Sequence, residues 1–230
     1  MSFPGPRERK EPSPPFKDPN PDKGKALVSL RSGNKIVKLT KIGTNLKQKI
    51  NKYYEFKAQE EVQKYGIDNY LDFYNSLPKE SQQAIKEYTE AGFGDVNRSL
   101  RFITQITPSS TRMEKVKRII KGLDYAFKQK EIETKKNLIL YRSIDSDFVN
   151  RINKVFYDEG FVSTTGYKNA LHKRNAYIKI RVPKGSKIIF TRPFDEMFTE
   201  GEFLLNRNSR FEVIKKYKDD EYNAIEVKLA

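Results

Sequence analysis

The chain has 230 residues, of which 37% are hydrophobic, 12% aromatic and 33% charged, so it has the length and apolar content for one sizeable core. It holds no cysteine and one histidine, His172, which excludes disulfides and thiolate metal sites and argues against a histidine-based zinc centre or a Ser–His–Asp triad. With 45 basic against 30 acidic side chains the net charge is +15, a field that attracts nucleic acid, an anionic membrane or an acidic protein without choosing among them.

The first 24 residues carry seven of the eleven prolines and almost nothing to bury, which predicts a disordered, basic, proline-rich leader. Residues 25–230 are expected to form a single domain. Within it, "ALVSLRSGNKIVKLT" predicts a β-hairpin over 25–40 around Ser-Gly-Asn. A mainly helical region over 45–130 follows, with Leu46, Ile50, Tyr53, Tyr54 and Val62 along one face. Asp68 and Ser81 are candidate N-caps inside it. The clearest helix is "TRMEKVKRIIKGLDYAFKQKE". Its Met113, Val116, Ile120, Leu123 and Phe127 recur at helical spacing, and Thr111 with Glu114 fits a capping box. The lysines and arginine opposite (115, 117, 118 and 121) read as a solvated face.

From 137 to 230 the texture changes to short strands: "NLILYRSI", "GFVSTT", "AYIKIRV", "SKIIF", "EFLLN", "RFEVIKKY" and "YNAIEVKL". In "AYIKIRV" the apolar Ala176, Ile178, Ile180 and Val182 alternate with other residues, as a half-buried strand requires. Helices first and strands later predict an α+β fold. No run approaches the length of a membrane span, and the N-terminus lacks the apolar core of a secretory signal.

Three features of the strand-rich half carry chemistry. Arg142 ends an apolar strand, where a buried guanidinium needs an anion such as a diphosphate or a salt-bridge partner. Ser163, Thr164 and Thr165 follow a strand start and suit either an ordinary sheet edge or the holding of a neighbouring carboxylate. Glu200 and Glu202 flank Gly201 and project to one side by period-two geometry. Paired carboxylates serve reactions through an oxocarbenium-like sugar, one stabilising the cation and the other handling a proton on the attacking group.

The ordered set "YR", "FVSTT", "VPKG", "EGEFLL" and "SRF" resembles the R-S-E class of mono-ADP-ribosyltransferases, a family of bacterial toxins and phage-encoded enzymes. "AIKEYTEAGFGDVNRSLR" resembles that family's helical segment, so the likeness spans roughly residues 80–215. The one departure is Thr165, where the family usually has serine. The resemblance implies N-terminal helices packed on a mixed β-sandwich core, and NAD as substrate without a metal. It implies that Arg142 and Arg174 bind the NAD phosphates, that Ser163 orients Glu202, and that Glu202 grips the nicotinamide ribose and offsets the developing cation. Glu200 would engage the nucleophile, and Tyr88, Asn97, Arg101 and Thr164 would add NAD contacts. The loop 166–175 would cover the nicotinamide, and "TRPFDEMFT", with Phe194 and Phe198, would meet the target protein. In this family a first glutamate goes with arginine acceptors and a glutamine there with asparagine or glutamine, so the pair here implies transfer to arginine.

The implied partner is a target protein, for which an acidic surface would suit the charge. A delivery machine or carrier would bring the chain to a target-cell cytoplasm as an effector; otherwise it would be cytoplasmic. Two other readings stand beside this one: a non-enzymatic, basic nucleic-acid-binding protein, and an enzyme of the same fold that hydrolyses NAD or modifies a nucleic acid. Release of nicotinamide from NAD separates the first of these from the enzymes.

Overall fold

The computed structural model describes residues 52–101, 110–171, 175–191, 193 and 201–230. The expected leader, the expected hairpin, Leu46, Ile50, Phe194 and Phe198 lie outside these residues. The described chain runs through helices α1 (Gln59–Ser76) and α2 (Lys79–Glu87), a π-turn (Tyr88–Gly92), α3 (Phe93–Arg101) and α4 (Ser110–Lys128) before strand β1 (Leu138–Ile144). Then come α5 (Ser146–Arg151), β2 (Val155–Asp158), β3 (Val162–Thr165), β4 (Ala176–Val182), β5 (Ile188–Phe190), β6 (Glu202–Leu205), β7 (Ser209–Asp219) and β8 (Tyr222–Leu229). Helices precede strands, and the fold is α+β as expected.

The strands lie in the order β2-β7-β8-β4-β1-β3-β6-β5. The sheet is mixed, because β4 and β8 run parallel while β4 and β1 run antiparallel. β1 and β3 meet at one residue pair, Tyr141 with Thr165. The ladder therefore divides there into two halves, and both feed one core. Leu140, Ile178, Ile180 and Val227 enter it from one half, and Val162, Ile188, Phe190, Phe203 and Leu205 from the other. Each such side chain contributes about 1.5–3 kcal/mol when fully buried.

β4 behaves as its alternation predicts: Ala176, Ile178, Ile180 and Val182 enter the main core. Tyr177 faces a second, smaller cluster on the other side of the sheet with Ile139, Tyr141 and Ala224. On α4 the buried stripe is Val116, Ile119, Leu123, Ala126 and Phe127. Arg118 and Lys115, on its solvent side, pair with Glu87 of α2 at 2.8 and 3.8 Å, so this is a solvated, ion-paired face.

Helix α1 packs tightly on the second half-sheet. Val62, Gly66, Tyr70 and Phe73 are its buried positions, at helical spacing. A Cβ at Gly66 would stand 2.4 Å from the Phe190 ring, so only glycine lets α1 lie this close to β5.

Three local expectations are corrected. Tyr53 and Tyr54 are not helical: Tyr54 forms a parallel bridge with Leu138, with Tyr54 N–H donating to Asn137 O at 2.9 Å and Ile139 N–H to Tyr54 O at 2.8 Å. Aromatic residues favour such an extended, half-buried edge over a helix. Asp68 is no cap, since α1 runs through it; it pairs instead with Lys64 one turn earlier at 2.9 Å. Ser81 is buried inside α2, whose N-cap position is Pro78. Among the described residues no helix is long and apolar enough to cross a membrane.

Candidate active site

Glu202 opens β6 and stands directly across from Thr165 on β3, while Ser163 stands across from Leu204. Residues two apart on a strand share a face, so Ser163 and Glu202 lie diagonally on the same face of the β3–β6 pair. Thr164, between them in register, pairs with Phe203 and turns the other way. It is 4% exposed, and its hydroxyl donates to Phe203 O at 2.7 Å. The Thr164 side chain fastens the two strands from the core side.

The Glu202 carboxylate is held from the next strand. Thr191, one residue past β5 and fully buried, donates from its hydroxyl to Glu202 Oε2 at 3.0 Å. Its backbone N–H donates to Glu202 O at 3.1 Å, which continues the β5–β6 ladder. One residue thus fixes both the main chain and the carboxylate of Glu202. Sequence reading placed Thr191 only as the first residue of "TRPFDEMFT", expected to meet the target protein, and gave it no role at Glu202. The available signal was a hydroxyl at the end of the apolar run "SKIIF", the same pattern that drew attention to "FVSTT".

Gly201 is explained by its neighbour on α1. A Cβ there would lie 2.2 Å from Val62 Cγ1, so any side chain between the two glutamates would push α1 off the sheet. Gly201 O accepts from Gly166 N–H at 3.4 Å, which ties the start of the loop after β3 to the start of β6.

Arg142, on β1, reaches across to β3, where its Nη1 donates to Ser163 O at 3.3 Å. Tyr88, the first residue of the π-turn, packs edge-on against Phe161, two residues before Ser163. Its hydroxyl shares a hydrogen bond with Ser163 and accepts one from Asn97 Nδ2 at 2.9 Å. Asn97 Oδ1 in turn accepts from Phe161 N–H at 2.9 Å. Burial pushes the Tyr88 phenol above its ordinary pKa, and the negative charge of Glu202 adds to this. The bonds from Ser163 and Asn97 and the Arg142 charge act the other way. Tyr88 is therefore a neutral phenol within electrostatic reach of both charged residues of the site. π-turns often occur at functional positions, and here one delivers a tyrosine to the Ser163 side chain.

Six side chains from separate segments thus meet: Arg142, Ser163, Glu202, Thr191, Tyr88 and Asn97. Tyr88 is fully buried and Asn97 is 8% exposed. They hold residues 161–163, Tyr88 at the Ser163 side chain and Asn97 at the Phe161 N–H. Arg101 is joined to Asp158 by two bonds, Nε at 2.8 Å and Nη2 at 3.0 Å, and Asp158 also accepts from Gly160 N–H at 3.0 Å. The structure commits Arg101 to the turn that leads into β3. Arg174 and Glu200 lie outside the described residues. Among the described residues no group of three His, Asp or Glu side chains could hold a metal ion.

The arrangement offers one carboxylate in a fixed orientation, an arginine fork on the neighbouring strand and a hydroxyl on the strand between them. This suits an anionic ligand with a sugar at which positive charge develops, as in glycosidic cleavage assisted by a preorganised carboxylate.

An α+β fold with this arginine–hydroxyl–carboxylate set on successive sheet strands defines the class as an ADP-ribosyltransferase. The family model described as ADP-ribosyltransferase exoenzyme matches residues 62–229, and the chain belongs to that family. The chemistry of that family is mono-ADP-ribosylation with NAD as the substrate. The fold is shared with the Clostridium limosum C3 exoenzyme, at 20% identity and TM-score 0.66 over 78% of this chain and 98% of that one. An ADP-ribosyltransferase from Clostridium botulinum matches at 22% identity and TM-score 0.65 over 78% and 99%. A protein from S. aureus, solved with NAD, matches at 19% identity and TM-score 0.62 over 78% and 99%. Comparison with curated protein sequences gives no match.

Proposed function

We propose that this enzyme is a toxin-type effector that transfers ADP-ribose from NAD to arginine on a target protein inside another cell. The observation that carries the reading is the Glu202 carboxylate, clamped by Thr191 on the face it shares with Ser163 and served by Arg142 on the adjoining strand. In this reading Arg142 and Arg174 bind the diphosphate, where a guanidinium fork suits paired phosphate oxygens. Glu202 holds the ribose and offsets the cation that develops as the nicotinamide–ribose bond breaks. Glu200 orients the incoming guanidinium and takes up its proton as the new bond to the ribose carbon forms.

Arginine as acceptor rests on the glutamate at position 200, because a neutral guanidinium nitrogen is available only when a carboxylate accepts its proton. The +15 charge favours an acidic target surface through faster encounter. The test is incubation of the full chain with labelled NAD and a cell lysate, with mass spectrometry of the labelled residue. Glu202→Gln should abolish both nicotinamide release and labelling. Glu200→Gln should suppress labelling and leave measurable NAD hydrolysis, in which water needs no guanidinium to be steered. Label on asparagine or glutamine would overturn the acceptor. Full transfer by Glu202→Gln would overturn the whole reading.

A further inference from the structure

On the far side of the sheet from the main core, a hollow of about 320 Å³ is lined by Tyr141, Tyr177, Lys168, Lys179 and Asp219 among others. Its charges are matched in pairs. Glu55 accepts from Lys179 at 3.1 Å and from the Tyr141 hydroxyl. Glu226 pairs with Arg181 at 2.7 Å and with Lys215 at 3.5 Å. A hollow whose charges already neutralise one another has little left to offer an ionic ligand, and its chemistry is that of a fastening.

What it fastens is the segment that leaves the active site. β3 carries Ser163 and ends at Thr165; Gly166 is bonded to Gly201, beside Glu202. A single 3₁₀ turn, Lys168–Ala170, follows at once. From that turn Lys168 Nζ reaches Asp219 Oδ2, at the end of β7. The same carboxylate oxygen accepts from the Tyr177 hydroxyl on β4, and Tyr177 lies 3.4 Å, oxygen to oxygen, from Tyr217 of β7. The Lys168 ammonium also stands 5.3 Å from the centre of the Tyr177 ring, within cation–π range. Asp219 therefore receives a donor from the loop and a donor from the sheet on one oxygen. It is the joint at which the loop is tied to the rigid frame.

The joint is held by the chain as well. Asp219 pairs with Tyr222 across the β7–β8 turn, and Asp220 takes φ 54°, the left-handed conformation that a tight turn needs and that aspartate tolerates. Asn223 N–H donates to Asn175 O at 3.2 Å, so the residue just ahead of β4 is tied to the same hairpin. The β7–β8 hairpin thus grips the chain on both sides of the turn region after β3.

We propose that Asp219 is a positioning residue for NAD binding: through Lys168 and Tyr177 it holds the 166–171 segment at the angle at which it leaves Gly201, beside Glu202. This rests on the proposed NAD reaction at Glu202. It adds a residue at the end of β7 that acts only through Lys168 and Tyr177.

The test uses the full chain with Asp219→Asn, Lys168→Met and the charge-exchanged double variant Lys168→Glu/Asp219→Lys. Nicotinamide release is measured against NAD concentration, and amide hydrogen exchange of residues 166–171 is measured on the protein alone. Each single variant should raise KM for NAD about three- to tenfold with kcat within about twofold, the scale of losing one partly exposed, charge-assisted joint. Exchange across 166–171 should quicken by a similar factor, while that of β4 and β8 stays unchanged. The charge exchange should restore a large part of both. Unchanged KM and exchange in the single variants would overturn the proposal. So would a fall in kcat that tracks a general loss of folding, because the residue would then be merely structural. If the wild-type chain releases no nicotinamide, the proposed function fails by itself. The exchange measurement still decides whether Asp219 fastens the segment, and unchanged exchange would overturn that.

Discussion

Replacing Thr191 by valine tests whether the Glu202 clamp matters for the reaction. The two side chains have nearly the same volume and Thr191 is fully buried, so the packing is kept and the change is one hydroxyl. The bond removed, 3.0 Å to Glu202 Oε2, is a hydrogen bond to a charged acceptor, a type that contributes about 1.5–3 kcal/mol. The same hydroxyl also stands 3.4 Å from Glu202 O, and one proton cannot serve both acceptors at full strength, so the lower end applies. About 1.5 kcal/mol corresponds to roughly a tenfold rate change if the carboxylate must be held in this rotamer when the ribose cation forms. Thr191→Val should lower kcat for NAD hydrolysis about tenfold and leave KM within about twofold. Thr191→Ser, which keeps the hydroxyl, should recover most of the rate. The assay is initial-rate nicotinamide release, with thermal unfolding as the control for folding. Wild-type kcat in Thr191→Val, beside an inactive Glu202→Gln, would refute the claim that this bond sets the working orientation.

Three further outcomes are expected. Gly201→Ala should destabilise the fold by about 1–3 kcal/mol in urea, because the new Cβ would stand 2.2 Å from Val62 Cγ1, and adding Val62→Ala should recover part of the loss; no loss would mean that α1 shifts freely. Arg142→Lys keeps the charge and loses the fork, so NAD affinity measured by calorimetry should weaken by about 1–3 kcal/mol, and unchanged affinity would reject the phosphate role. Stability should fall on the acid side. The Arg112 guanidinium holds Asp95, and the Lys168 ammonium together with the Tyr177 hydroxyl holds Asp219, below the usual aspartate pKa. Such groups stabilise the fold fully above the unfolded-state value of about 3.9 and lose that contribution as pH falls through the lowered folded values. The urea midpoint should therefore stay flat from about pH 8 to 5 and drop below about pH 4, with a smaller drop in Asp219→Asn. A decline that began near pH 7 would point to other groups.

How much of this was legible in the sequence differs from element to element. In β4 the alternation of Ala176, Ile178, Ile180 and Val182 with Tyr177, Lys179 and Arg181 is a local pattern with a local cause, and the strand follows it. The same holds for α4, whose buried stripe needs only helical spacing. "YYEFK" carried two conflicting periods. Tyr53 and Tyr54 fit a helical face with earlier apolar residues, but the chain uses the period of two, with Phe56 in the core and Glu55 bonded to Tyr141 on the opposite side. What settles it is the free edge of Leu138 and Ile139, which lies more than eighty residues away and is invisible to a local window. β2 was missed because its four residues form an edge strand with an exposed pattern, Val155 being 41% and Tyr157 64% exposed. Asp68 and Ser81 misled for another reason. Capping residue types also occur inside helices, Asp68 as an ion-pair partner and Ser81 buried in the first turn of α2.

The site divides along the same line. Arg142, Ser163 and Glu202 could be named because "YR", "FVSTT" and "EGEFLL" occur in the order that resembles the R-S-E family, each residue alone suiting an ordinary structural role. Thr191 acts through register, which only the assembled sheet supplies, and the bonds of Tyr88 and Asn97 to residues 161–163 likewise join distant segments. The structure also shows how the second half of "EGE" is held. From Gly201 onward the chain is fixed three times over: by Val62 against the glycine, by Gly166 on its carbonyl, and by Thr191 on both the backbone and the carboxylate of Glu202. A residue so held can stabilise a cation at a set place, because its orientation entropy is removed before substrate arrives. These three restraints act on Gly201 and Glu202, and the Thr191 clamp is expected to survive a change at residue 200. If Glu200 serves the acceptor and Glu202 the ribose, as proposed, Glu200→Gln and Glu202→Gln should fail differently, with transfer altered at position 200 while the Glu202 carboxylate stays where the sheet holds it.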